Sequence, residues 1–390
     1  MTHLTERMFR LGTESALEVL GRAEALKAQG RPVINLGVGA PDFRTPENIV
    51  EAGRQALADG WHGYTPVIGL AELREAVVWD IQNRQGVEVD PNHVMIVPGG
   101  KPTMFFALLM LGEPGVEVMY PDPGFPIYRS MVEFSGATAI PIPLEETNGF
   151  SFDPEQVLSQ VNERTRLIIL NSPANPTGGI LGRSEIDILV AGLADHPDVY
   201  VMSDEIYSRI VFGDTEHVSL LEYESLRDRL ILLNGWSKTW AMTGWRIGWG
   251  LWPASLIGGA ELLQINSNSC ANAAVQVAAV EALRGPQDAV IEMVNAFDER
   301  TSYTASALDD LDGVRCKQPG GAFYVFPNIS DTGLTSKEIQ DRLLDQADVA
   351  VVAGTSFGDG GAGHIRISCA AGLEMLEEAM SRIERFLESV

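Results

Sequence analysis

Between about Pro46 and Arg284 the chain alternates short apolar, β-rich runs with longer stretches of helical periodicity. Strands that run parallel need a crossover of a dozen or more residues between them, usually a helix, so this alternation predicts an α/β fold around a mainly parallel sheet. Seven such runs occur, "HVMIVP", "VEVMYP", "TAIPI", "RLIIL", "DVYVMS", "LILLN" and "RIGWGLW", each bounded by Gly, Pro, Asn or Asp. Their continuous apolar character is that of strands buried on both faces. Upstream, "ALEVLGRAEALKAQG" has amphipathic helical spacing. Beyond Gly285 the pattern changes to a long polar helix from about Ala289 to Leu311, strands near "GGAFYVFP", "DVAVVA" and "HIRISC", and a closing helix from Leu373. That is the pattern of a second, smaller α+β domain. No repeat, low-complexity tract or long linker separates the two, so they are expected to pack closely.

The bulk numbers exclude some function classes. A chain of 390 residues with 45% hydrophobic content supplies a large core and a smaller one. Lys and Arg number 28 against 53 Asp and Glu, a net charge of -25, which argues against binding nucleic acid or an anionic membrane through bulk charge. The opening "MTHLTERMFRLGTES" lacks the apolar centre of a signal peptide, and no apolar run approaches the roughly 18 residues of a membrane span. Cys270, Cys316 and Cys369 are far apart with no metal-ligand spacing. A reducing compartment, the cytoplasm, is the expected location, and no metal is expected.

In open α/β sheets ligands bind beyond the carboxyl ends of strands, so the residues after each apolar run carry the chemical information. After "RLIIL" comes "NSPANPTGG", a rigid loop presenting Asn175, which taken alone reads as a turn. After "DVYVMS" comes Asp204, with Tyr207 three residues on; a carboxylate there could equally cap a helix. After "LILLN" comes Lys238, and eight residues later Arg246 opens another apolar run. Together they suit a cationic heteroaromatic ring that bears an aldehyde. A lysine condenses with the aldehyde, and burial lowers its pKa so that neutral amine is available. A carboxylate keeps the ring nitrogen protonated and the ring an electron sink. Asn175 and Tyr207 can bond a ring oxygen, and Arg246 can fork onto a phosphate. "VPGGKPTMFFALLML" adds Gly99, Gly100 and Lys101 at a helix start, where backbone N–H groups bind anions. It is not a nucleotide-binding P-loop, since Met95 stands in place of the first Gly and Pro102 in place of Ser or Thr. "NLGVGAPDF" lacks the third Gly of a dinucleotide fingerprint. Pyridoxal 5'-phosphate satisfies the set better than any nucleotide.

These residues resemble the fold-type I aminotransferases of the aspartate aminotransferase family, class I/II, across essentially the whole chain. "GWSKTWAMTGWR" matches the cofactor-lysine segment at Lys238, Gly244 and Arg246. "GYTPVIGLAELREAV", "PDPGFPIY", "NSPANPTG", "SDEIY", "PGGAFYVFP" and "HIRIS" follow in family order. The resemblance implies a large cofactor-binding domain over 46–288, with a seven-stranded sheet between helices, and a small domain built from 1–45 and 289–390. It implies that Lys238 carries the cofactor as an internal aldimine and moves protons between substrate Cα and cofactor C4′. Asp204 would pair with the pyridine nitrogen, Asn175 and Tyr207 with the ring oxygen, and Phe125 would stack on the ring. Gly100, Lys101, Ser237 and Arg246 would hold the phosphate with Tyr64 of a neighbouring subunit, which requires a homodimer. Arg366 would clamp the substrate α-carboxylate, helped by Asn175 and the backbone of Gly39, and the Asn175–Pro176 bond would be cis. Three positions depart from the usual pattern: Gly235 replaces a phosphate-binding hydroxyl residue, Phe125 a Trp, and Ala353 a Pro.

By the same resemblance, the carboxylate clamp and the lysine favour loss of the Cα proton, then release of a 2-oxo acid, with a second 2-oxo acid such as 2-oxoglutarate or pyruvate returning the amino group. Lys101 could hold a distal carboxylate, but the facing N-terminal positions fall near Glu14 and Ala16, and a carboxylate at Glu14 would repel one. The expected donor range is therefore broader than aspartate, or directed at neutral, aromatic or amine-bearing substrates. A lyase, decarboxylase or cyclase on the same fold is the alternative, since one fold hosts many chemistries. A non-catalytic sensor would need an additional DNA-binding domain, and Lys238 argues against it.

Overall fold

Alternate residues of a strand point to opposite faces of its sheet, so a strand apolar at every position must be covered on both sides. In this computed structural model, which describes residues 3–12 and 15–389, that is how the central runs are used. Ile168, Leu170, Val201, Leu230 and Leu232 enter one apolar cluster, and Leu167, Ile169, Met202, Ile231 and Leu233 enter another. The two clusters are the two faces of one sheet.

In chain order the elements begin with α1 (Ser15–Ala28), β1 (Ile34–Asn35), α2 (Glu47–Ala58), α3 (Ala71–Gln85), β2 (Val94–Val97) and α4 (Lys101–Leu111). Next come β3 (Glu117–Asp122), α5 (Ile127–Ser135), β4 (Thr138–Pro143), α6 (Pro154–Gln160), β5 (Thr165–Asn171) and α7 (Arg183–Gly192). β6 (Tyr200–Asp204), β7 (Leu230–Gly235), β8 (Gly248–Leu251), α8 (Ala254–Ser267) and α9 (Ala273–Arg284) close the α/β part. α10 (Asp288–Asp309), β9 (Tyr324–Val325), α11 (Ser336–Gln346), β10 (Val349–Ala350), β11 (Val352–Ala353), β12 (Ile365–Ser368) and α12 (Leu373–Leu387) follow.

The large sheet has seven strands in the order β2-β8-β7-β6-β5-β3-β4. β8 alone among them is antiparallel to its neighbours. The carboxyl ends of the other six therefore share one rim, and the start of β8 lies on that rim too. The expected strand at "TAIPI" forms as β4, but not buried on both faces. It is an edge strand paired only with β3, with Thr138 and Pro141 exposed. Pro141 and Pro143 explain its place, because residues without an N–H cannot serve an interior ladder.

β9, β11 and β12 form a three-stranded antiparallel sheet, and β1 pairs in parallel with β10, joining Ile34 to Val349. The single run "DVAVVA" is thus divided between two sheets, β10 and β11, on either side of Val351. α11 starts at a capping box in which Thr335 and Glu338 satisfy each other's backbone N–H groups.

Candidate active site

The common rim collects the chemistry. Gly100 and Lys101 follow β2, Phe125 follows β3, Asn171 ends β5 and Asn175 follows it, Asp204 ends β6, and Ser237 and Lys238 follow β7. All line one cavity of about 470 Å³, together with Gly39, Tyr207, Arg246 and Arg366. Eleven of the twelve site residues expected from the sequence are therefore brought together. The twelfth, Tyr64, is 92% exposed and does not line the cavity.

Lys238 is half-buried, not enclosed as its predicted role required, because its side chain faces the cavity. Its Nζ donates to the Gly39 carbonyl and lies 5.8 Å from the Tyr207 ring centroid and 5.9 Å from that of Phe323. Asp204 is buried, and burial pushes its carboxyl up to about 6 although two donors work in the other direction. These are Tyr128 Oη at 2.6 Å and the backbone N–H of Ile206 at 3.2 Å. Tyr207 is also buried; enclosure raises its phenol well above its ordinary value, and its oxygen lies 2.8 Å from that of Tyr324.

The anion-binding end is built from close backbone approaches. Gly99 adopts a φ of +82°, and a Cβ there would run into the Arg246 guanidinium, so only glycine lets that side chain reach the start of α4. Arg246 itself has a φ of +54° and bonds the Thr243 carbonyl through Nη1 at 2.9 Å. The missing hydroxyl at Gly235 has a steric reason. Gly235 pairs with Gly248 across β7 and β8, and a Cβ on it would lie 2.9 Å from the Gly248 Cα and 3.2 Å from the Ile247 carbonyl. Gly248 in turn has no room for a Cβ, which would lie 2.6 Å from the Gly100 backbone nitrogen. These two glycines let the start of α4 settle onto the sheet.

At the opposite end Arg366, on β12, is buried. Its Nη1 donates to Asn175 Oδ1 at 2.9 Å and its Nη2 to the Gly37 carbonyl at 2.5 Å. The backbone partner of this arginine is the Gly37 carbonyl, and the Gly39 carbonyl accepts from Lys238. The guanidinium lies between the rings of Tyr324 and Phe357, 4.6 and 4.8 Å from their centroids. The Asn175–Pro176 bond is cis, as are Asp122–Pro123 and Ser172–Pro173.

Sequence reasoning gave no role to Tyr128, Tyr324, Asn171 or Gly37. Tyr128 and Tyr324 end or interrupt motifs that were recognised, "PDPGFPIY" and "PGGAFYVFP", but a tyrosine's partner is not written in its neighbours. Asn171 accepts from the Asn175 backbone N–H at 2.9 Å and donates to the Asp204 carbonyl at 2.9 Å, tying two strand ends together. Leu17 and Leu20 of α1 and Met104 of α4 give the cavity an apolar wall. Glu14 and the side chain of Ala16 lie outside the described residues.

The sequence profile of the family "Aminotransferase class I and II" matches residues 31–383. The chain is 39% identical to an aspartate aminotransferase of Pyrococcus horikoshii, over 99% of this chain and 97% of that protein. It is 38% identical to an aspartate/prephenate aminotransferase of Cereibacter sphaeroides, over 99% of each. The crystal structure of an aromatic aminotransferase from Pyrococcus horikoshii superposes with a TM-score of 0.89 at 37% identity, covering 95% of this chain and 99% of that one.

Proposed function

The chain belongs to the class I and II aminotransferases, and from that membership we propose what its individual residues do. It is a pyridoxal phosphate-dependent transaminase of fold type I, moving an amino group between an amino acid and a 2-oxo acid. The donor set fits the cofactor part by part. A primary amine suits its aldehyde, a buried carboxylate its ring nitrogen, phenol and amide its ring oxygen, and a helix start with Arg246 its phosphate. When bound, the cofactor takes up the amino group and holds the electrons released at the substrate Cα.

Lys238 would hold the cofactor at its aldehyde, and its amine, once free, would carry a proton between the substrate Cα and the cofactor C4′. Asp204 stays ionised against the protonated ring nitrogen, a cation that offsets the burial pushing its carboxyl up. Tyr207 and Asn175 hold the ring oxygen, and Phe125 covers the ring. Gly100, Lys101, Ser237 and Arg246 hold the phosphate. Arg366 clamps the α-carboxylate, and Asn175 and Gly37 fix the angle of its fork. With the α-carboxylate held at Arg366 and the Lys238 amine in the same cavity, loss of the Cα proton would be the favoured step.

The observation that carries this reading is the convergence of Lys238, Asp204, Arg246 and Arg366 on one cavity from four separate segments of the chain. Absorbance spectra of the purified protein with pyridoxal phosphate test it. A visible band that shifts with particular amino acids is expected, and Lys238→Ala should abolish both band and turnover. Undiminished turnover in Lys238→Ala would overturn the assignment.

The donor range follows from the walls. Leu17, Leu20, Met104 and Phe125 are apolar, and Lys101 Nζ lies 5.4 Å from the Phe125 ring centroid. Such a pocket takes aromatic and neutral side chains as well as a dicarboxylate, in keeping with relatives named for aspartate, prephenate and aromatic substrates. The division into a unit over 46–288 and one from 1–45 and 289–390 is supported by the β1–β10 pairing of the two chain ends. A homodimer is supported by exposed Trp61 and Tyr64 and by exposed Phe105, Leu109, Leu262 and Ile265 on the packed helices α4 and α8. In it Tyr64 would reach the phosphate of the neighbouring subunit. The cytoplasm suits three thiols that are all unpaired, and no helix among the described residues is long and apolar enough to cross a membrane.

A further inference from the structure

Tyr324 touches three parts of the site that act on different atoms of the reaction. Its hydroxyl oxygen lies 2.8 Å from that of Tyr207, and its ring lies beneath the Arg366 guanidinium at 4.6 Å. Gly39, whose carbonyl accepts from Lys238, has no room for a Cβ because the Tyr324 hydroxyl fills that space. Tyr324 is only 1% exposed and is held on β9 opposite Ser368, two residues beyond Arg366. Its place is therefore set by the same short sheet that sets the clamp.

We propose that Tyr324 is a positioning residue that couples occupation of the carboxylate clamp at Arg366 to the hydrogen bond Tyr207 makes with the cofactor's ring oxygen. The inference rests on the roles assigned above to Tyr207 and Arg366. A cation over an aromatic face draws electron density from the ring and makes its hydroxyl a better donor. The 2.8 Å contact admits either hydroxyl as donor, and in the proposed arrangement Tyr324 donates to Tyr207, which leaves the Tyr207 hydrogen to point into the cavity. Hydrogen bonds in a chain polarise one another, so a stronger donation from Tyr324 makes Tyr207 a stronger donor in turn. A substrate carboxylate on Arg366 neutralises the cation, weakens both bonds and leaves negative charge on the ring oxygen less stabilised. The bound cofactor's proton affinity then rises when substrate is in the clamp and not before. The charged and titratable groups facing the pair are Arg366, Asp204 and Lys238, with Tyr128 bonded to Asp204.

The test uses the holoenzyme and follows the pH midpoint of its visible absorption band, with and without maleate, a dicarboxylate that has no amino group to react. In the wild type maleate should raise the midpoint. Tyr324→Phe keeps the ring beneath Arg366 and removes the hydroxyl. It should raise the maleate-free midpoint by about half a unit or more and cut the maleate response to less than half. It should also lower kcat several-fold while leaving the donor KM within about twofold. Phe357→Leu alters the other face of Arg366 without touching Tyr207. It should raise the maleate concentration needed and retain the full midpoint response. A wild-type band indifferent to maleate, or a Tyr324→Phe protein with wild-type midpoint and response, would overturn the coupling. A wild type that forms no band would overturn the assignment of Lys238 and the coupling with it.

Discussion

Asp204→Asn should stabilise the cofactor-free protein while disabling the loaded one. Burial lifts the Asp204 carboxyl from 3.8 to about 6. A group whose folded pKa is raised contributes stability that is complete below its unfolded pKa and is lost as pH rises through the folded one. For Asp204 the loss runs from about pH 4 to above pH 6 and, at 1.36 kcal/mol per unit, amounts to about 3 kcal/mol by pH 8. An asparagine carries no charge to desolvate, but its single carbonyl serves only one of the two donors, Tyr128 Oη and the Ile206 N–H. The lost bond costs about 1 kcal/mol, so the net gain at pH 8 is about 2 kcal/mol. Urea denaturation of both cofactor-free proteins at pH 4.5 and pH 8 measures it. The variant should gain on the wild type by about 2 kcal/mol between the two pH values. With saturating pyridoxal phosphate at pH 8 the order should reverse, because only the wild type gains strong binding energy from the ring nitrogen. A variant with no advantage at pH 8 over its standing at pH 4.5 would refute the argument that this carboxylate is held against a burial cost.

Two further outcomes follow from the same geometry. Arg366→Lys removes a fork that bonds Asn175 and Gly37 from between two aromatic rings. Steady-state kinetics should show the donor KM raised about a hundredfold, roughly 3 kcal/mol, with the visible band retained. Gly235→Ser places a Cβ 2.9 Å from the Gly248 backbone, and denaturation should show a loss of about 1–3 kcal/mol typical of overpacking. Because Gly248 abuts the start of α4, cofactor affinity should fall as well; a serine that strengthened cofactor binding at no cost in stability would contradict the steric account.

The strands at "RLIIL", "DVYVMS" and "LILLN" were legible because an apolar run covered on both faces leaves its signature in every residue. Asn175, Asp204 and Lys238 were legible because a parallel sheet puts strand ends on one rim, so position after a run is already position in space. β4 was misjudged as doubly buried because an edge and an interior strand can share a run, and only pairing distinguishes them.

What the sequence by itself determined is therefore the layering of the large domain, the rim and the kinds of groups on it, since each follows from local periodicity and chain order. Only the tertiary structure decided which groups bond. Tyr128 reaches Asp204 across 76 positions, Tyr324 reaches Tyr207 across 117, and Arg366 reaches Asn175 across 191. The same holds for Gly235, which reads as a missing ligand until its backbone is seen against Gly248. Periodicity records what a residue faces on its own element, whereas hydrogen bonds and close backbone approaches depend on elements brought together by the packing of both cores.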